Sequence, residues 1–481
     1  MKYFKIAALL SICATSLSAQ HRPDIMLESF ATAGGGENSP FWLVSNRHGL
    51  ATVSENSIYL RTAVSKSLDK SKRIDYSYGV DLVGAYNHNA NFIVQQLFLE
   101  AKYRSLFISV GSKERSGMLN NARLSTGGVA WSGNSRPIPQ VRAGFIDWVC
   151  PFKSVDWFSL KGEVSYGWFT DKNYQEEMVN RQYGFMSTGA VYHHKGIYFK
   201  FGKDNSRWAV EAGYELDSEF GGTRTQFKNG EISKVEAERI GFKDYLKAFV
   251  PLQGGSTYYE GNYVGGWQVK LIHNINSIHK LSFTMENIFD DASSMGMLNR
   301  GDGLWTLEYS CSEPRIISGA LFEYFQSTNQ SGPLHWYPSD MPEDTDVNHH
   351  APGADNYYNN YWYVGWSHWG QAMGNPLITS PVFNSDGLLQ FKNNRVKAWH
   401  AGVNGFITPE LEHRVLMTYQ RGWGTPFIPF TDVKESFSGL LELTYTPRKL
   451  KRMTFVGSLA FDKGTLLGDN FGASVSVKKL F

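Results

Sequence analysis

Phe471-Gly472-Ala473-Ser474-Val475-Ser476-Val477-Lys478-Lys479-Leu480-Phe481 runs with a period of two. Phe471, Ala473, Val475 and Val477 share one parity, and Gly472, Ser474, Ser476 and Lys478 share the other. A strand built from them is apolar on one face and polar on the other. An edge strand of a soluble sandwich carries the same pattern. So does the last strand of a bacterial outer-membrane barrel, which commonly finishes on an aromatic such as Phe481. Lys479 falls on the apolar parity, but from a membrane interface its stem can carry the ammonium to water.

At the other end, Lys2 and Lys5 precede the apolar run Ile6 to Cys13 and the small, mostly polar stretch Ala14 to Gln20. This predicts a secretory signal peptide over residues 1–19, cut after Ala19 and too short to span a bilayer. Ile12 before Cys13 does not suit a lipoprotein signal. Losing Lys2 and Lys5 takes the formal net charge from +2 to zero, which leaves no basic excess for nucleic acid. Cys150 and Cys311 then remain, too few for a disulfide scaffold, and whether they pair is open. Aromatics make up 15% of the chain, with 25 Tyr and 14 Trp, yet mean hydropathy is negative. No long apolar run follows the signal, which excludes helical membrane spans. A barrel needs only alternate residues to be apolar.

Alternation recurs along the chain. Leu97, Leu99, Ala101 and Tyr103 interleave with polar or mixed neighbours, as do Trp305, Leu307 and Tyr309, then Val415, Met417 and Tyr419. Leu441, Leu443 and Tyr445 follow, and Met453, Phe455, Leu459 and Phe461 share a face. Between Ser57 and Phe481 about eighteen such segments are separated mostly by short turns. Spanning strands of roughly 9–11 residues, with alternating short turns and longer loops, make one large barrel of this length. The expected fold is an all-β transmembrane antiparallel β-barrel of about eighteen strands over residues 57–481, with long extracellular loops. Residues 20–56 form a pre-barrel segment, periplasmic or a plug. Glu100, Glu308, Glu442 and Arg414 should face a polar lumen, and Lys102, Arg414 and Lys397 would favour an anionic polymer there. Ser218 to Asn262, with a helix expected over Val235 to Val250, and Gln326 to Asn384 are the long loops. Strand parity puts both outside the cell if the termini are periplasmic.

Six motifs occur in order along the chain: Pro40-Phe41-Trp42-Leu43-Val44-Ser45-Asn46-Arg47-His48-Gly49, Gly111-Ser112-Lys113-Glu114-Arg115, Asn134-Ser135-Arg136-Pro137-Ile138-Pro139, Gly301-Asp302-Gly303-Leu304-Trp305, Gln330-Ser331-Gly332-Pro333 and Gly353-Ala354-Asp355-Asn356-Tyr357-Tyr358-Asn359-Asn360. In these the chain resembles the capsule assembly Wzi family of outer-membrane proteins. The resemblance implies an eighteen-stranded, partly closed barrel that acts as a surface lectin and helps capsular polysaccharide attach to the cell. The better-known branch of that family plugs its periplasmic end with a helical bundle, for which residues 20–56 are short and Gly-rich.

Sugar recognition needs rings to stack on pyranose faces and amides, acids or His to bond hydroxyls. The loop Gln326 to Asn384 supplies both: His335, Trp336 and Tyr337, then Asp355 to Tyr363, then Trp366, His368 and Trp369. The expected carbohydrate-binding residues are His335, Trp336, Asp355, Asn356, Tyr357, Tyr358, Asn359, Trp362 and Trp366. The alternative for Tyr361, Tyr363 and Trp369 is an interfacial aromatic girdle on a short strand. Asp340, Glu343, Asp344 and Asp346 near His349 and His350 read as a solvated acidic turn, without zinc-ligand spacing. No catalytic residue, metal site or cofactor is expected. The expected partners are capsular polysaccharide or exopolysaccharide and outer-membrane lipid, with the barrel a monomer in the outer membrane. The competing functions are a porin-like channel and, third, an outer-membrane glycan or lipid hydrolase.

Overall fold

The computed structural model describes residues 23–152, 154–203, 205–250, 261–290, 295, 297, 299, 301–330, 335–336, 350–351 and 355–481. The expected signal peptide lies outside the described residues. Eighteen antiparallel strands form one sheet that closes on itself. Asp24–Gly35 makes the closure, pairing with Ser57–Lys66 on one side and with Asn470–Leu480 on the other, Met26 opposite Leu480. Closure removes both sheet edges.

Polarity decides which solvent the wall faces. Outward-pointing Leu60, Leu99 and Val475 are 64%, 61% and 60% exposed. Inward-pointing Asp81, Glu100, Gln268, Glu286, Glu323, Thr418 and Ser474 are buried. A soluble sandwich would place its apolar face inside; a greasy outer wall round a polar interior is a barrel in lipid. Exposed aromatics mark both rims of the wall, Tyr103, Trp157, Trp208 and Tyr445 at one end and Tyr86, Phe92, Trp168 and Phe471 at the other. The two ends differ. The first, shared with the terminal strands, has tight connections such as 104–105, 275–278 and 409–410; the second carries 36–56, 113–139, 221–261 and 327–395. We call them the turn end and the loop end.

Several expectations need correction. Residues 20–56 are not a segment ahead of the barrel: Asp24–Gly35 is a wall strand, so one of the eighteen strands lies before Ser57. Its alternation is weak because Ala31, Thr32, Ala33 and Gly34 are small. Val235 to Val250 is not one helix. Glu231–Glu238 is a strand that pairs with Gly222–Lys228 in a three-stranded sheet, and only Phe242–Phe249 is helical. The overlooked signal is Asn229-Gly230, both at positive φ (53° and 87°), the residue pair a tight hairpin turn demands. Lys397 points outward, on the parity opposite the buried His400, whereas Lys102 and Arg414 point inward as expected. Tyr361, Tyr363 and Trp369 are not on a wall strand and form no girdle. Cys150, exposed, and Cys311, buried, are both free thiols.

Candidate functional site

The lumen is filled by the protein's own loops. The helical turn Phe41–Val44 folds inward and is fully buried; the Phe41 amide donates to Asp462 Oδ2 (2.9 Å) and Trp42 Nε1 to Thr418 Oγ1 (3.0 Å) on the wall. Residues 113–139 lie across it. The Thr126 amide donates to Glu323 Oε2 (2.8 Å) and the Val129 amide to Glu286 Oε1 (2.9 Å), so two wall carboxylates satisfy the loop backbone. The 355–395 stretch completes the packing. Asn375 Nδ2 donates to Gly127 O (2.7 Å), Ser132 Oγ to Gly374 O (2.7 Å), Asn134 Nδ2 to Ala372 O (2.9 Å) and Trp366 Nε1 to Ala130 O (2.8 Å). Phe41, Leu43, Leu124, Val129, Ile138, Tyr358, Trp366, Met373, Ile378 and Phe391 join wall residues Leu304, Phe325, Leu416 and Leu440 in one buried apolar cluster. These loops form a tightly packed plug. No helical bundle takes part in it among the described residues.

The described residues of the six motifs converge on this plug or its supports. Arg115 lies 4.2 Å from the Trp131 ring centroid and donates to Glu163 Oε1 (2.9 Å) and Tyr192 Oη (2.7 Å). Arg136 sits over Trp369 (4.1 Å), with burial lowering its guanidinium pKa to about 10. Asp302 accepts from the Asn329 and Gln330 amides (2.9 and 2.6 Å) and so pins the start of the long loop; burial raises its pKa against those bonds. His368 bonds Arg136 O through Nδ1 (3.0 Å), and burial lowers its pKa, which keeps the ring neutral.

The residues expected to bind sugar separate into three groups. Tyr357, Tyr358 and Trp366 are buried and serve the plug. Tyr357 Oη accepts from Asn299 Nδ2 (2.9 Å), and Tyr358 Oη donates to Val129 O while accepting from the Asn375 amide (2.8 Å). Asp355, Asn356, Asn359 and Trp362 keep partial exposure at the loop-end mouth. Asn359 is committed on both sides of its amide to Phe391 (2.8 and 2.9 Å), and Asn356 Oδ1 accepts from Asn394 Nδ2 (2.6 Å). His335 and Trp336 form a two-residue backbone pairing with His350 and Ala351. Tyr337 and the expected acidic turn, apart from the His350 backbone, lie outside the described residues.

One ring missing from the expected set is openly accessible: Tyr361 is 74% exposed and meets Trp362 edge-on, centroids 6.5 Å apart. Asn360 sits beside them, its Oδ1 accepting the Trp362 amide (2.8 Å). The mouth thus offers two rings at an angle with a border of amides and one acid. That chemistry suits the two faces and hydroxyl rim of a sugar. Among the described residues no group of three or more His, Cys, Asp or Glu is arranged to hold a metal. At the turn end a polar chamber of about 700 Å³ opens below the plug, lined by Arg61, Asp81, Glu100, Lys113, Glu114 and Lys478 among others. Ion pairs partition its charge: Arg61 to Asp81 (2.5 Å) and Glu114 (2.9 Å), and Lys113 to Glu100 (3.0 Å).

No protein-family model matches the sequence, and no curated protein matches it. Among solved structures, the chain is similar to Wzi of Escherichia coli, an outer-membrane protein involved in group 1 capsule assembly and described as a carbohydrate-binding β-barrel. The TM-score is 0.59 at 12% identity, over 98% of this chain and 87% of that one. Pseudomonas aeruginosa OccK5 (OpdH) aligns over 96% of this chain and 97% of its own, with TM-score 0.47 and 9% identity. At such identities the likeness is one of fold. The chain has the architecture of an eighteen-stranded outer-membrane β-barrel and shares it with Wzi.

Proposed function

We propose that this protein is an outer-membrane lectin that holds capsular polysaccharide or exopolysaccharide at its loop end and so helps assemble or attach that layer to the cell. The observation that carries the reading is the plug. A lumen packed with buried apolar side chains and cross-bonded loops offers a solute no wide path, which speaks against a channel and leaves the loop mouth as the working surface. Tyr361 and Trp362, bordered by Asn356, Asn359, Asn360 and Asp355, are the proposed contact residues there, and His335 and Trp336 stay in the proposal as flanking residues. Buried Tyr357, Tyr358 and Trp366 act by holding the mouth in shape. The fold shared with Wzi, whose barrel binds carbohydrate, supports the same reading.

The test is equilibrium binding of the host's own surface polysaccharide to purified protein in detergent. Ring stacking contributes about 1 kcal/mol per ring, so Tyr361→Ala with Trp362→Ala should raise Kd roughly thirtyfold while the melting temperature holds. Unchanged affinity in the double variant would remove the mouth from the site. No binding by the wild type would overturn the lectin reading.

A further inference from the structure

One stretch of the outer wall does not look like the rest. Tyr166, His193, Lys195, Ser218 and Phe220 lie on the outward parity, since their neighbours Glu163, His194 and Asp217 meet inside the lumen. Outward residues over most of the wall are exposed, Leu60, Leu99 and Val475 among them, yet His193, Ser218 and Phe220 are buried. The covering element is the helix Phe242–Phe249 of the 221–261 connection, which folds back over the outside of the barrel near the loop end. Tyr166 Oη donates to Tyr245 O (2.7 Å), Phe220 meets the Tyr245 ring edge-on at 5.5 Å, and His193 lies 6.0 Å from the Phe249 ring. Lys195 Nζ, reaching from the wall, donates to Ala248 O (3.4 Å) and Phe249 O, where a cation suits the carbonyl end of a helix. At the other end the Gly241 amide donates to Asp244 Oδ2 (2.8 Å).

The helix is therefore fixed, and its unused faces have a defined direction. Tyr245 and Ala248 point to the wall. Phe242, Leu246 and Phe249, at i, i+4 and i+7, form a second apolar stripe beside them, 79%, 55% and 45% exposed. Lys243 and Lys247 occupy the side away from that stripe, both exposed, with Lys247 Nζ 3.6 Å from Asp244 Oδ1. The stripe ends beside the lipid-facing wall: Val250, which caps the helix, and Ile197, the next outward residue after Lys195 on its strand, are both exposed. An apolar stripe continuous with a lipid-facing surface, with lysines on the opposite flank, is the side-chain layout of a helix lying in a membrane interface.

We infer that the helix Phe242–Phe249 is a lipid-binding strap that sinks Phe242, Leu246 and Phe249 among the acyl chains of the leaflet at the loop end and presents Lys243 and Lys247 to its anionic headgroups. The strap fixes the depth of the barrel on that side, and with it the height of the loop mouth above the membrane. It stands independently of what the mouth binds.

The experiment uses the full-length protein with Cys13→Ser, Cys150→Ser and Cys311→Ala, a nitroxide attached at Leu246→Cys or at Lys247→Cys, and barrel folding verified by heat-modifiable gel migration. In phosphatidylcholine liposomes the label at 246 should collide several-fold more with oxygen than with a water-soluble nickel chelate, and the label at 247 should reverse that preference. Adding lipid A should move the 246 label deeper, and Lys243→Ala with Lys247→Ala should abolish the increment. A 246 label as open to nickel as the 247 label would place the stripe in water and overturn the inference. Protection at 246 from both reagents, with spin–spin broadening, would put a second copy of the chain on the stripe and overturn it equally. Unchanged depth on adding lipid A would overturn the headgroup contact.

Discussion

Tyr358 shows what one side chain does in this plug. Its hydroxyl ties Val129 O to the Asn375 amide, and Gly374 passes so close beneath that a Cβ there would lie 2.0 Å from the hydroxyl oxygen. Tyr358→Phe leaves both backbone groups buried without that partner and should cost about 1–3 kcal/mol, read as a lower melting temperature in detergent. Gly374→Ala should cost at least as much, because Tyr358 and Val129 O both have to move. His88 gives a pH signature. Burial is the main cause and the Arg136 charge adds to it, so its pKa falls to about 4 while Nε2 bonds Leu50 O (3.1 Å). The unfolded chain binds a proton near pH 6.5, which the folded one refuses until about pH 4. Stability contributed by this site is therefore complete above pH 6.5 and lost as pH falls towards 4. His88→Gln should make the melting temperature less steep over that window, and an unchanged slope would count against the burial. The sequence flagged Asp355 to Tyr363 by residue type, but a loop has no fixed period. Nothing in the order Tyr357, Tyr358, Tyr361 and Trp362 says which rings turn inward.

Elements were legible where the period of two meets a flat solvent boundary. The strands holding Leu97, Trp305, Val415, Leu441 and Phe471 each put the expected residues outward, because lipid selects one parity along a whole strand. Asp24–Gly35 was misread because its small residues satisfy the wall without announcing a face. The plug was not legible as a plug: Pro40 to Gly49 and Asn134 to Pro139 are irregular segments whose partners lie far along the chain, Trp42 with Thr418 and Asn134 with Ala372. Distances of that kind are fixed by the fold, and no local pattern encodes them. Trp42 is nearly fully buried between the inward turn and His400, rings 5.0 Å apart. Trp42→Ala should cost about 3–5 kcal/mol and loosen the plug before the wall, seen as faster proteolysis at residues 36–56 in a barrel that still migrates as folded.

For the whole molecule, two terminal strands complete one cylinder, and the loops of the far end fold back to fill it. Deleting Asp24–Gly35 would expose the edges of Ser57–Lys66 and Asn470–Leu480 and should abolish folded gel migration altogether. Inside the lumen some acids pair with bases, as at Arg414 and Glu442 (3.0 Å) and Arg142 and Glu163 (2.6 Å), while Glu286 and Glu323 are taken up by loop amides. Closure of the lumen separates a surface-binding barrel from a conduit, and single-channel current through the purified protein in a planar bilayer tests it directly. A loop-plugged barrel predicts no steady open current over the bare membrane. A stable ohmic conductance of porin size would contradict it.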